Sequence, residues 1–150
     1  MNKSIGDESE QITCREATYE SVRNTGCPYF PYFGESKYQF TEAASSLLRE
    51  LCDEYRVGSW SCMELSNGAW YVYPLDCETM CLKDGDGGLH LMSADGAGLA
   101  VTAYLVNQLS WMYHEDGQAE ESMAASDHFH NLREFYFEHP DAAAIFNVVD

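Results

Sequence analysis

Between positions 40 and 55 the apolar residues recur three and four apart, at Phe40, Ala44, Leu47, Leu48, Leu51, Cys52 and Tyr55. That spacing lines one face of an α-helix and leaves Glu42, Arg49, Glu50 and Asp53 mostly on the other. A helix is predicted over 41–55, with Thr41 as its N-cap and Gly58 shortly past its end. The pattern then changes. Segments 60–65 and 69–73 are rich in aromatic and β-forming residues and are separated by Ser66-Asn67-Gly68. Asn-Gly tolerates the positive φ angles of a type I′ turn, so a hairpin is predicted, closed by Pro74. Residues 75–87 read as a loop around Asp84-Gly85-Asp86-Gly87-Gly88, followed by a short apolar strand over 89–92.

Ser93 is placed to cap a second helix over 94–113, which is apolar nearly all round and therefore buried on most faces. Gly96 and Gly98 each cost about 1 kcal/mol of helix propensity relative to Ala. Close packing against the sheet is the expected compensation. Gly117 ends this helix. A third, over 120–138, directs Met123, Phe129, Leu132, Phe135 and Tyr136 inward and stops at His139-Pro140. Pro140 suits the first turn of a last short helix over 141–148. The order predicts an α+β fold: a small antiparallel sheet of about three or more strands, including the Asn-Gly hairpin, packed with about four helices. Residues 1–29 are expected to form a flexible acidic arm, and 30–150 a single domain. Within 27–34, two prolines and four aromatics predict an extended segment pinned to the core.

Composition adds to this in two ways. An apolar content of 45% in 150 residues supports one domain with a real core. The N-terminus lacks the apolar stretch of a secretory signal, so the cytosol is the expected compartment, with the six cysteines as free thiols. The formal net charge is −17. Residues 84–150 hold 12 acids and one base, Arg133. Such a surface repels nucleic acid, whose binding needs cations to neutralise phosphates. It could instead attract a basic protein surface, or confer solubility alone.

Residues with the chemistry for a site are present, but in weak patterns. Cys77 and Cys81, with His90 or His114, offer one loose pair where structural zinc wants two. Asp84, Asp86 and Asp95 match three positions of a calcium loop whose turn glycine is replaced by Leu89. Gly96-Ala97-Gly98 lacks the third glycine of a dinucleotide turn. His114, His128, His130 and Cys52 could supply a nucleophile and base only if the fold gathered them, and no nucleophile elbow accompanies them. The aromatics Trp60, Trp70, Tyr71 and Tyr73 lack the cationic groove that base stacking requires and read as core and cross-strand pairs. No catalytic residue, cofactor site or metal site is assigned.

An ordered set of motifs is more specific. Phe30-Pro31-Tyr32-Phe33-Gly34 comes first. Then follow Gly58 and Trp60 after the helix ending at Tyr55, Leu65-Ser66-Asn67-Gly68-Ala69-Trp70-Tyr71-Val72, and Met92-Ser93-Ala94-Asp95-Gly96-Ala97-Gly98. Phe129-His130-Asn131-Leu132-Arg133-Glu134-Phe135-Tyr136 and His139-Pro140-Asp141-Ala142-Ala143-Ala144-Ile145-Phe146 complete it. In this order and spacing the chain resembles the ArdB/KlcA antirestriction family over about 30–150. It departs from the family's paired glycines at Val57-Gly58-Ser59, and its cysteines and 75–88 loop are its own. The resemblance implies a small α+β domain with no cofactor and no catalytic activity. Members are carried by plasmids, phages and genomic islands and protect incoming DNA from host type I restriction–modification. The implied partner is a host type I restriction–modification complex or an associated host protein, with no direct nucleic-acid or membrane binding. Candidate contact residues in the matching motifs are Asn67, Asp95, Glu134 and Asp141. The alternative is an acidic DNA mimic filling the DNA channel of a nuclease or other DNA-binding protein, which needs a continuous acidic track with about one charge per 1.7 Å of duplex axis.

Overall fold

The computed structural model describes residues 11–17, 37–56 and 58–150. Apart from 11–17, the expected N-terminal arm lies outside these residues, as does the aromatic segment 27–34. In chain order the elements are β1 (Cys14–Glu16), α1 (Lys37–Leu51), β2 (Trp60–Leu65), β3 (Trp70–Pro74), β4 (Thr79–Lys83), β5 (Leu89–Ser93), α2 (Ala94–Glu115), α3 (Ala119–Tyr136) and α4 (Ala142–Val149). The α+β expectation holds. One antiparallel sheet has the order β1-β2-β3, and β4-β5 form a second, two-stranded sheet. No helix among the described residues is long and apolar enough to cross a membrane.

The β2–β3 hairpin is where the local pattern placed it, but its turn differs from type I′. No described non-glycine residue has positive φ; Gly68 alone in this turn does, at 96°. The Gly68 N–H donates to the Leu65 carbonyl and the Leu65 N–H to the Ala69 carbonyl. This is a three-residue loop, a type I turn followed by a glycine bulge. Three other expectations are corrected. α1 begins at Lys37, so Thr41 lies inside it rather than capping it, and it ends at Leu51. The 75–87 loop contains β4, whose Met80 and Leu82 point into the core while Thr79 and Cys81 face outward. Met123 is exposed, not inward. In addition, three residues of the expected arm form β1, registered as Cys14↔Leu65, Arg15↔Glu64 and Glu16↔Met63.

The central helix α2 explains how the layers meet. It is buried along most of its length, from Ala94 to Tyr113. Its Ser93 N-cap hydroxyl accepts from the Gly96 N–H at 2.9 Å. A Cβ at Gly98 would collide with the Val72 carbonyl oxygen and with Tyr73, so only glycine lets α2 lie this close to β3. That approach replaces the predicted loss of helix propensity with backbone contact.

Among the described residues β3 is an edge strand, and its outer backbone groups need partners. Side chains from the helices supply them. Thr102 Oγ1 lies 3.2 Å from the Val72 N–H and 3.4 Å from its carbonyl. His128 Nε2 lies 2.8 Å from the Trp70 carbonyl and 3.2 Å from its nitrogen. Pro74 continues the alternation, and its lack of an N–H costs nothing on the outer side of an edge strand. The helices thus close the sheet edge that would otherwise accept another strand.

Candidate functional site

Polar side chains converge where the N-terminus of α2 meets the turn between α3 and α4. Asp95, in the first turn of α2, accepts the Tyr71 hydroxyl at 2.7 Å through Oδ1. Its Oδ2 lies 2.8 Å from His139 Nε2. The other ring nitrogen, His139 Nδ1, accepts the Asp141 N–H at 2.9 Å. This arrangement assigns the proton to Nε2, which donates to Asp95. Asp141 Oδ2 accepts both the Ser93 hydroxyl at 2.7 Å and the Ser93 N–H at 3.0 Å, and lies 3.8 Å from His139 Nδ1. A Cβ at Gly96 would stand 2.7 Å from Asp141 Oδ2, so glycine there admits the carboxylate.

The local sequence accounts for each position. Asp95 follows the Ser93 cap and so belongs to the first helical turn, where a carboxylate faces the positive end of the helix dipole. Asp141 is the N-cap of α4 but makes no side-chain bond to its own helix; it reaches instead to the start of α2. Burial pushes the Asp141 carboxyl up, but the two Ser93 hydrogen bonds and the nearby His139 outweigh it and hold it below the usual carboxylate range. Burial and the Asp95 carboxylate drive the Tyr71 hydroxyl far above its ordinary value, so it stays a donor. The β1 strand brings in two further groups. Burial and the Asp95 charge push the Cys14 thiol up, only partly offset by the Tyr71 hydroxyl. Tyr73 donates to Glu16 at 3.3 Å.

Of the four candidate contact residues, Asp95 and Asp141 come together, joined by His139. Asn67 sits elsewhere. Its side chain donates to the Asn131 carbonyl at 3.0 Å and accepts the Ala69 N–H at 3.1 Å, while Asn131 Nδ2 donates back to the Asn67 carbonyl at 3.3 Å. It therefore latches the hairpin tip to α3. Glu134, one turn further along α3, is exposed. Sequence reading missed Ser93, Tyr71 and His139 as members of one network. Each had a local role as cap, core aromatic or helix stop, and only the fold joins them.

The weaker motifs are absorbed into structure. Asp84 Oδ1 accepts the N–H groups of Asp86 and Gly88, both at 2.8 Å, and Oδ2 lies 2.7 Å from His90, so this side chain shapes the β4–β5 turn. His90, a possible zinc ligand, is its partner. His128 is buried against Trp70, with ring centroids 4.8 Å apart. Burial, only partly opposed by its bond to the Trp70 carbonyl, lowers its pKa to about 4. His114 is exposed and lies edge-on to Trp111, with ring centroids 6.1 Å apart. Among the described residues no group of three His, Cys, Asp or Glu is arranged to hold a metal ion.

Comparison with known proteins gives this geometry its context. Two Escherichia coli proteins named antirestriction protein KlcA are 35% and 32% identical to the chain. Each match covers 79% of this chain, and 83% and 82% of the relatives. A solved structure superposes with a TM-score of 0.72 at 26% identity, over 94% of this chain and 96% of the other. It belongs to work on KlcA and ArdB, described as showing a novel fold and antirestriction activity against type I DNA restriction systems in vivo but not in vitro. The model of the family described as "Antirestriction protein" matches residues 53–150, and the chain belongs to that family, in its KlcA/ArdB branch.

Proposed function

We propose that this protein counteracts host type I restriction–modification in the cytosol and so protects incoming mobile-element or phage DNA. It acts by binding a protein of the restriction apparatus, or one associated with it, and not by catalysis. The observation that carries this reading is the near-complete match of fold to KlcA and ArdB, whose activity is against type I systems and is seen in vivo but not in vitro. An effect that disappears outside the cell fits a partner or state supplied by the cell better than simple occupation of the endonuclease. The polar seam around Asp95 and Asp141, with Asn67 and Glu134, provides the candidate contact groups.

DNA mimicry fits less well. Asp84, Asp95 and Asp141 are held in internal hydrogen bonds, and Glu64 is paired with Arg15 at 2.8 Å. These four carboxylates, fixed within turns, a strand pair and helix starts, are not available to a free track with phosphate spacing. Expression in a type I restricting host should raise the plating of unmodified phage towards that of modified phage. No rise against any of several type I families would overturn the proposal.

A further inference from the structure

We infer that the tip of the α2–α3 hairpin is a docking surface for a cationic, amphipathic segment of a partner protein. Trp111 is 61% exposed, Met112 48% and Met123 65%. Trp111 and Met112 lie near the end of α2 and Met123 near the start of α3. The two helices are held side by side there by the Ser122 hydroxyl, which donates to the Ser110 carbonyl at 2.9 Å. The connection is rigid. Gly117 adopts φ 75°, and the Gly117 and Gln118 N–H groups donate to the carbonyls of His114 and Tyr113, the pattern of a Schellman motif. The apolar groups are therefore displayed on an ordered end of the molecule, and exposed tryptophan and methionine so placed suit an interface anchor.

The surroundings decide the chemistry of the occupant. Glu115, Asp116 and Glu120 are exposed around the same turn. The one base in residues 84–150, Arg133, lies 5.1 Å over the Phe146 ring and 4.0 Å from Asp150, so it does not neutralise this tip. An apolar centre with an acidic rim complements a segment carrying apolar side chains between lysines or arginines. Nucleic acid and anionic lipid would be repelled by the same rim. A second copy of this chain would bring like charges together.

The test uses the whole protein and a short amphipathic helical peptide of leucine and lysine as probe. Trp111 fluorescence is read as the difference between wild type and Trp111→Phe. The peptide should shift Trp111 emission to the blue. Its affinity, read for all variants from the fluorescence anisotropy of a dye-labelled peptide, should fall about tenfold or more in Trp111→Ala/Met123→Ala, and should weaken as salt rises. A scrambled peptide of the same composition, or one of leucine and glutamate, should bind poorly. Equal binding of either control, undiminished binding by the double variant, or wild-type self-association that buries Trp111 would each overturn the inference.

The link of this surface to antirestriction rests on the function proposed above and is tested in cells. Trp111→Ala/Met123→Ala should protect unmodified phage less than wild type, at equal protein level and unchanged Tm. Full protection by that variant would overturn the link. If the wild-type protein fails to protect against any type I family, the functional proposal fails, while the peptide measurements still decide the docking surface.

Discussion

Two histidines near the C-terminus serve opposite kinds of junction. His128, inside α3, is buried against Trp70 and bonded to backbone at the edge of β3. His139, just past α3, lies between two carboxylates at the start of α2. The first junction is buried, so protonating its imidazole is costly. The second is polar and partly open, with Asp95 and Asp141 side chains 35% and 22% exposed. The same residue type seals a sheet edge in one place and organises negative charge in the other. Burial of one and hydrogen bonding of the other decide the difference. This contrast separates the part of the fold that must not change from the part where surface chemistry can vary.

The buried side should be the more fragile, and Gly98 is its tightest point. Gly98→Val would drive a branched side chain into the Val72 carbonyl and Tyr73, so α2 would have to lift from β3. The expected loss is about 4 kcal/mol, at the upper end for overpacking because backbone is struck. Gly98→Ala should also destabilise, although alanine gains about 1 kcal/mol of helix propensity. Urea denaturation midpoints of the two variants measure this. No loss, or the gain of up to about 1 kcal/mol that an exposed helix site would give, would show that α2 and β3 can part easily, and the contrast with the polar seam would collapse.

His128 makes the next largest prediction, through pH. Its folded pKa is lowered to about 4 from the ordinary histidine value of 6.5. The unfolded chain therefore binds a proton that the folded chain refuses between those values. Stability from this group is complete above about pH 6.5 and is lost as pH falls towards 4. The total is at most about 3 kcal/mol. His128→Gln cannot take up that proton, so the wild-type minus variant difference in unfolding free energy should vary between pH 7 and 4. A difference flat across that range would mean that His128 opens to solvent readily.

How much of this was legible beforehand follows the range of the interactions. The hairpin, the Ser93 cap and the buried length of α2 are local patterns, and all stood out in the sequence. The need for close packing at Gly98 was also legible, because a glycine in an apolar helix has to be offset by something. β4 was hidden because its alternating Met80 and Leu82 lie beside a Gly-Asp turn and carry no β-branched neighbour except Thr79. β1 was hidden because its partner is far along the chain, as in Arg15↔Glu64. At the polar seam the helix-start positions of Asp95 and Asp141 were readable from capping rules. Their union was not, since it depends on His139 and Ser93, which only the packing of α4 against β5 and α2 brings close.

The polar seam should give the smallest effect on stability and the clearest separation of stability from function. Asp141→Ala removes the acceptor for the Ser93 hydroxyl and N–H. Both donors are part-buried and can be reached by water, so the expected cost is about 1 kcal/mol. Because the folded pKa of Asp141 is lowered, its contribution is present above the unfolded value and is lost as pH falls through the folded one. Wild type and Asp141→Ala should therefore converge in stability in strong acid and differ at neutral pH. Asp141→Asn keeps an acceptor oxygen and should recover much of the stability without the charge. If Asp141→Asn is as stable as wild type yet protects phage DNA less, the charge serves a partner. If stability and protection recover together, Asp141 is a fastener between α4 and α2, and the seam is as structural as the junction at His128.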